Sequence, residues 1–286
     1  MTLLLLIPWF KLEGWHIPGL PAQVAIQPFG VLVATGVMLG ARVAEKRAAR
    51  LGLKNELISD FIAHVVLTGF VLGHVFDRLA YEPQIVLQDP LDLIMPWRSL
   101  SSFGGFFGAV AGAFIWKARR KLTITIPLDQ VAFGMPVGWL FGRTGCFVVH
   151  DHPGRLSHFF LAVDDYQYGN LIVGPRHDLG LYEVLWAALM IPLFFWLDRK
   201  PKPYGFFIGI IAVLYAPYRF GLDFLREVDT TYFGLTPGHY SSIVAFLLGV
   251  FTLWRVYRQP IASIPLAMRE PPPEPTTSTD SPLTQG

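Results

Sequence analysis

Apolar residues run along this chain in blocks that are too long for strands or for ordinary core helices. Seven segments have the length and polarity of a membrane span, near residues 24–43, 57–79, 102–117, 127–145, 180–198, 204–223 and 239–257. A helix needs roughly 20 such residues to cross the hydrocarbon. With no water there to satisfy backbone polar groups, such segments must close their hydrogen bonds internally as helices. Basic residues collect in alternate gaps: Arg42, Lys46, Arg47, Arg50 and Lys54; Lys117, Arg119, Arg120 and Lys121; Arg199, Lys200 and Lys202; then Arg255 and Arg258. Short basic loops stay in the cytoplasm. The pattern predicts an all-α integral membrane protein of seven transmembrane helices, its N-terminus outside and its C-terminus cytoplasmic. The longer loops, about 80–101, 146–179 and 224–238, then lie on the extracytoplasmic side.

The flanks differ from the spans. Residues 1–23 are too short in apolar run to cross a bilayer and are expected to lie in the interface, anchored by Trp9 and Trp15. Residues 24–258 form the seven-helix domain, including the extracytoplasmic loop region 146–179. Residues 259–286 form a cytoplasmic tail, expected to be disordered from 270, where Pro, Ser and Thr dominate and little apolar surface can be buried. The first twelve residues lack a basic start and a small-residue cleavage site, so no cleaved signal peptide is expected.

Composition supports the membrane reading. Only 15% of the 286 residues are charged and 52% are hydrophobic, against roughly 25% charged in a soluble domain. The net charge of +2 is too small to imply a nucleic-acid partner. Cys146 is the single cysteine, so no intramolecular disulfide can form.

Ionisable residues inside spans are costly and face a cavity or a partner. Arg143, in Gly142-Arg143-Thr144-Gly145-Cys146-Phe147, lies about 14 residues from Asp129, roughly 21 Å along the helix. There its planar fork can bind a lipid phosphate, or snorkel to the headgroups. Tyr215, Arg219, Asp223 and Arg226 share one helix face by their spacing. They read as an Arg219–Asp223 pair, an anion site, or both. Ser101 to Gly108 opens the third span with glycines, and Gly104–Gly108 has a helix-packing spacing. The helix amides near Gly104 and Gly105 can also face an anion. His74, Asp77 and Arg78, and Arg176-His177-Asp178 before Tyr182 and Glu183, fall at the same depth. Polar residues from five segments thus gather at one membrane face.

His150-Asp151-His152 invites a metal reading, but the sequence specifies no third ligand. A proton-handling or structural role is favoured, and no metal is expected. Cys146 beside Arg143 reads either as a lowered-pKa thiol or as a small buried apolar residue.

Together these motifs resemble the prolipoprotein diacylglyceryl transferase family. The carrying stretches are Gly142-Arg143-x-Gly145-x-Phe147 with Gly154-Arg155, Arg176-His177-x-x-x-Leu181-Tyr182-Glu183, and Tyr215-x-x-x-Arg219-x-x-x-Asp223-Phe224-x-Arg226-Glu227, with Ser-Phe-Gly-Gly at 102–105. The resemblance runs from about residue 25 to 258. It implies transfer of the diacylglyceryl group from phosphatidylglycerol to the lipobox cysteine thiol of a prolipoprotein signal peptide, at the outer leaflet of the plasma (inner) membrane, with no metal or organic cofactor. It implies essential roles for Arg143 and Arg219. Tyr215, Asp151 and the loop imidazoles His150 and His152 join them as catalytic candidates. Gly104, Gly105, Cys146, Gly154, His177, Tyr182, Glu183, Asp223 and Arg226 are the candidate substrate-binding residues.

This chain departs from the family at four places. Phe103 stands where the family often has the His of His-Gly-Gly, Cys146 where it commonly has Asn, and Phe29 where it has a first-span Tyr. Asp223 replaces the usual Glu. Alkylating a thiol needs a thiolate and a stabilised phosphate leaving group, and His150, His152 or His177 can supply the base. Two other readings stand beside the transferase: a divergent paralogue with another acceptor, and a non-catalytic phospholipid-binding or transport protein. Transport needs polar residues through the bilayer, and only Asp60, His64, Asp129 and Gln130 lie near the inner boundary.

Overall fold

The computed structural model of the chain describes residues 6–16, 25–95, 99–168, 171–227, 231–261 and 263–271. It is mostly helical. The helices are α1 (Pro28–Arg50), α2 (Asn55–Ala80), the short α3 (Pro83–Gln88), α4 (Ser102–Arg120), α5 (Thr125–Val149), α6 (Leu179–Leu197), α7 (Phe206–Asp223) and α8 (Pro237–Arg258). Their starts follow local chemistry. Proline, preset for a helical φ and lacking an N–H that would be orphaned there, opens α1 and α8. The Ser101 hydroxyl accepts from Gly104 N on α4, and Asp178 accepts from Leu181 N on α6.

Among the described residues, six helices are long and apolar enough to cross a membrane: α1, α2, α5, α6, α7 and α8. The expected third span, α4, is not among them. Its apolar stretch ends at Trp116, and Lys117, Arg119 and Arg120 follow within the same helix.

Close backbone approach sets the packing. Gly104, Gly108 and Gly112 put one edge of α4 directly on α2, where a methyl on Gly108 would sit 2.5 Å from Thr68 O. Gly36 of α1 lies against α5 in the same way, 2.7 Å from Gly138 O for an added Cβ. Lipid tails give helices no hydrophobic reason to associate, so small residues that allow tight van der Waals contact hold them together. One buried cluster, with Phe133, Trp186, Phe194 and Phe207, joins α5, α6 and α7.

The end of the bundle near Asp129 is locked by charge. Arg47 of α1 is buried, with Nε 2.8 Å from Asp198 Oδ1 and Nη1 3.3 Å from Asp129 Oδ2, and it donates to Gln130 Oε1 at 2.8 Å. Its guanidinium lies 4.5 Å from the Phe207 ring centroid. Asp129 also accepts from Phe207 N at the start of α7. Asp60 accepts from Trp116 Nε1 and Arg120 Nε, each at 2.8 Å. Asp60, Asp129 and Gln130 are therefore each held by an arginine of another helix.

The segment between α5 and α6 is structured. Strand β3 (Pro153–Leu156) pairs antiparallel with β6 (Arg176–Asp178), and β4 (Gln167–Tyr168) with β5 (Leu171–Ile172). Upstream, β1 (Trp15–His16) pairs with β2 (Ala25–Ile26). The N-terminal segment packs on the loop region: Ile7 exchanges backbone hydrogen bonds with Ala162 O and Asp164 N. Trp9 stacks on His150, whereas Trp15 is exposed. Part of the expected tail is also ordered. Met268 is fully buried beside Leu53, Ile58 and Phe61, and its carbonyl accepts from Lys54 N. Residues 272–286, most of the stretch expected to be disordered, lie outside the described residues.

Candidate active site

Three helices converge on one carboxylate. Trp139, Arg143 and Cys146 follow one another on α5 at spacings of four and three, which aligns them on one face. Tyr215, Arg219 and Asp223 do the same on α7. Between them Glu183 of α6 is almost fully buried, at 1% exposure. Arg143 Nε is 2.7 Å from Glu183 Oε2, which also accepts from Trp139 Nε1 at 2.9 Å and Tyr215 OH at 3.1 Å. Arg219 Nη1 lies 3.4 Å from Glu183 Oε1. A carboxylate this buried is tolerable only because four donors satisfy it. The rings of Trp139 and Tyr215, 4.6 Å apart, pack beside this carboxylate, and Trp186 packs on Tyr215.

Arg219 is shared. Its Nη2 donates to Asp223 Oδ1 at 2.9 Å, the pair expected from the sequence. Arg226 Nε lies 3.9 Å from the same oxygen. Asp223 Oδ2 accepts from the Thr236 hydroxyl and lies 3.5 Å from His239 Nδ1 at the start of α8. Gly238 leaves room for this carboxylate, since a methyl there would overlap it.

Arg143 spends its Nε on Glu183 and reaches Cys146 Sγ with Nη1 at 3.8 Å. Beyond Cys146 the helix stops. His150 takes a left-handed φ of 52°, and Asp151 N closes back on Cys146 O. That turn returns the chain over its own last helical turn. Cys146, Asp151 and His152 each offer a ligand atom, all within 4.8 Å of one another. His152 Nδ1 is hydrogen-bonded to Asp151 Oδ1. This trio can hold a metal; His150 is not part of it.

His150 anchors the turn instead. It is buried, its Nδ1 lies 2.8 Å from Asp178 Oδ2, and the rings of Trp9, Phe10, Phe147 and Tyr166 surround it at 5.2–5.9 Å. Gly154 is fixed by space: it lies between His177 and Leu225 O, each under 3 Å from an added Cβ. Gly104 and Gly105 pack on α2. Phe103 is about half exposed, at 53%, and Phe29 packs on Gly145.

His177 Nδ1 is hydrogen-bonded to the hydroxyl of Tyr182, the residue before Glu183, at 2.5 Å. Burial lowers its pKa from the usual 6.5. An unfolded chain therefore takes up the proton first as pH falls. The contribution of neutral His177 is complete above pH ~6.5 and is lost as pH drops toward the lower folded value. Thermal unfolding in detergent should show stability falling below pH ~6.5, with a flatter dependence in His177→Gln. Equal slopes for both proteins would refute the assignment.

The family model for prolipoprotein diacylglyceryl transferase matches residues 19–255. The chain belongs to that family. Similar proteins named phosphatidylglycerol–prolipoprotein diacylglyceryl transferase include one from Janthinobacterium sp. (strain Marseille), 31% identical over 76% of this chain and 84% of that protein. Others come from Chromohalobacter salexigens, 28% identical over 84% and 94%, and Vibrio parahaemolyticus, 30% over 82% and 88%. With its apolar helices, this family member is a multi-pass membrane protein. The two arginines singled out by the family resemblance, Arg143 and Arg219, are the two that share Glu183. Sequence reasoning missed Trp139, Thr236 and His239. Trp139 was signalled only by its spacing of four from Arg143, and Thr236 by a Thr-Pro helix start.

Proposed function

We propose that this chain transfers the diacylglyceryl group of phosphatidylglycerol to the lipobox cysteine thiol of prolipoproteins, forming a thioether and releasing glycerol phosphate. The observation that carries the reading is the sharing of Glu183 by Arg143 and Arg219. Two guanidinium groups held by one buried carboxylate are preorganised for a phosphate, and cost no reorganisation when charge develops on the leaving oxygen. The placement within apolar helices suits a substrate that arrives from the bilayer. The acceptor thiol loses its proton at the group formed by Cys146, Asp151 and His152, which adjoins Arg143. Phe103 brings no imidazole to the site, so deprotonation of the thiol falls to this group.

In this reading α4 is also a span, the third of seven, held along α2 by its glycines. The basic loops lie in the cytoplasm and the site faces the extracytoplasmic side of the plasma membrane. The pairing of Asp60, Asp129 and Gln130 with Arg120 and Arg47 argues against an aqueous transport path to the inner face.

Complementation tests the proposal. Cells depleted of their own transferase should grow when this chain is expressed. They should fail to grow with an Arg143→Ala variant present at equal level in the membrane. A membrane-inserted wild-type chain that gave no rescue would favour a different acceptor or a lipid-binding role.

A further inference from the structure

We propose that Cys146, Asp151 and His152 bind a thiophilic divalent cation, Zn2+, whose fourth position takes the acceptor thiol as a thiolate. The inference rests on the transferase reading and specifies how its nucleophile forms.

The argument begins with the donor set. Thiolate, imidazole and carboxylate are the three ligand types that zinc takes, and three protein ligands with one open position mark a catalytic rather than a structural site. In the sequence, His150 and His152 look like the paired ligands. The structure removes His150 into an aromatic cage with Asp178 and substitutes Cys146 from the preceding helical turn. The ligand atoms already lie within 4.8 Å of one another. Tetrahedral bonds of about 2.0–2.3 Å need them roughly 1 Å closer. Asp151 and His152 are partly exposed, at 41% and 26% of their side chains, so both have room to turn inward.

Charge balance favours this set. Arg143 lies 3.8 Å from Cys146 Sγ, and a dication held by neutral imidazoles alone would repel it. Two anionic ligands cancel the charge of the cation, and the arginine then donates to the coordinated sulfur. Such hydrogen bonds orient a ligand and tune the metal. The Tyr166 hydroxyl, bonded to His150 O, and the His150–Asp178 pair hold the turn that brings the ligands together.

The chemistry follows from position. A thiol that coordinates such a cation is deprotonated outright, and its proton passes to water. The sulfur then attacks the glyceryl carbon bonded to the phosphate oxygen. The S–C bond forms as the C–O bond breaks. The electron pair leaves on the oxygen of glycerol phosphate, which Arg143 and Arg219 hold. Nothing is oxidised or reduced.

The test uses the full-length protein in detergent, stripped with a chelator and titrated with Co2+. One equivalent should produce thiolate-to-cobalt charge-transfer absorption, which Zn2+ displaces. The absorption should be absent in Cys146→Ser and weakened in Asp151→Asn. A lipobox peptide with cysteine, but not with serine in its place, should shift the cobalt d–d bands. Turnover of the stripped enzyme should fall by about a hundredfold and return with Zn2+. Absence of the charge-transfer band in the wild-type protein would overturn the site. A band accompanied by full turnover of the stripped enzyme would overturn its role. In both cases Arg143-dependent rescue of growth would persist, whereas failure of the transferase reading would abolish that rescue as well.

Discussion

Glu183→Gln should lower transferase turnover by about a thousandfold, although the side chain keeps its shape. The carboxylate accepts from Trp139, Tyr215, Arg143 and Arg219. An amide retains one acceptor and presents an NH2 group to donors it should receive from. Removing one partner of a buried ion pair costs about 3–5 kcal/mol, because the other charge is left uncompensated. Here two guanidinium groups lose the same partner and the alignment that makes them a phosphate clamp. Loss of a single preorganised donor already costs roughly 100- to 1,000-fold. Steady-state kinetics on purified variant in phosphatidylglycerol micelles would measure the effect. Glu183 acts through the arginines, so the loss should fall on kcat more than on the KM for lipid. A variant that retains more than a tenth of wild-type turnover would show that the arginines are positioned by something else.

The second large effect is expected at Asp223. Its two oxygens serve Arg219, Thr236 and the neighbourhood of His239 and Arg226, so it ties α7 to α8 and sets the far side of Arg219. Asp223→Asn should cost about 3 kcal/mol of stability, read as a lower unfolding temperature in detergent, and reduce turnover about a hundredfold. Asp223→Glu sharpens the test. The family usually has Glu here, but Gly238 abuts the carboxylate so closely that even a methyl would overlap it. The longer side chain should therefore restore only part of both losses. Full activity in Asp223→Asn would mean that its charge is dispensable to Arg219.

Much of this architecture is legible in the linear chain. Apolar block length predicts the helices, because a membrane core demands internally satisfied backbone over a fixed thickness. The structure follows six of those blocks with qualifying helices and makes a helix of the remaining one, the third block, α4, shortened in apolar length by Lys117, Arg119 and Arg120. The Tyr215–Arg219–Asp223 stripe is readable because a helix repeats every 3.6 residues, and that repeat needs no tertiary information.

Contacts between distant segments are not readable in this way. Glu183 is the fifth residue of α6; the motif that makes it a substrate-binding candidate does not mark it as the carboxylate shared by α5 and α7. Its role exists only once three helices cross, since burial converts one ordinary side chain into the group on which both arginines depend. The loop imidazoles make the same point. His150 and His152 are equivalent by spacing, yet a left-handed turn at His150 sends one ring into an aromatic cage and the other beside Cys146 and Asp151. Sequence by itself determined the membrane class and the polar stripes of single helices, because hydropathy and helical period act locally, and its motifs determined the family. Only the tertiary structure decided which carboxylate holds the arginines and which histidine reaches the thiol. Those choices depend on which buried charges find partners when the helices pack.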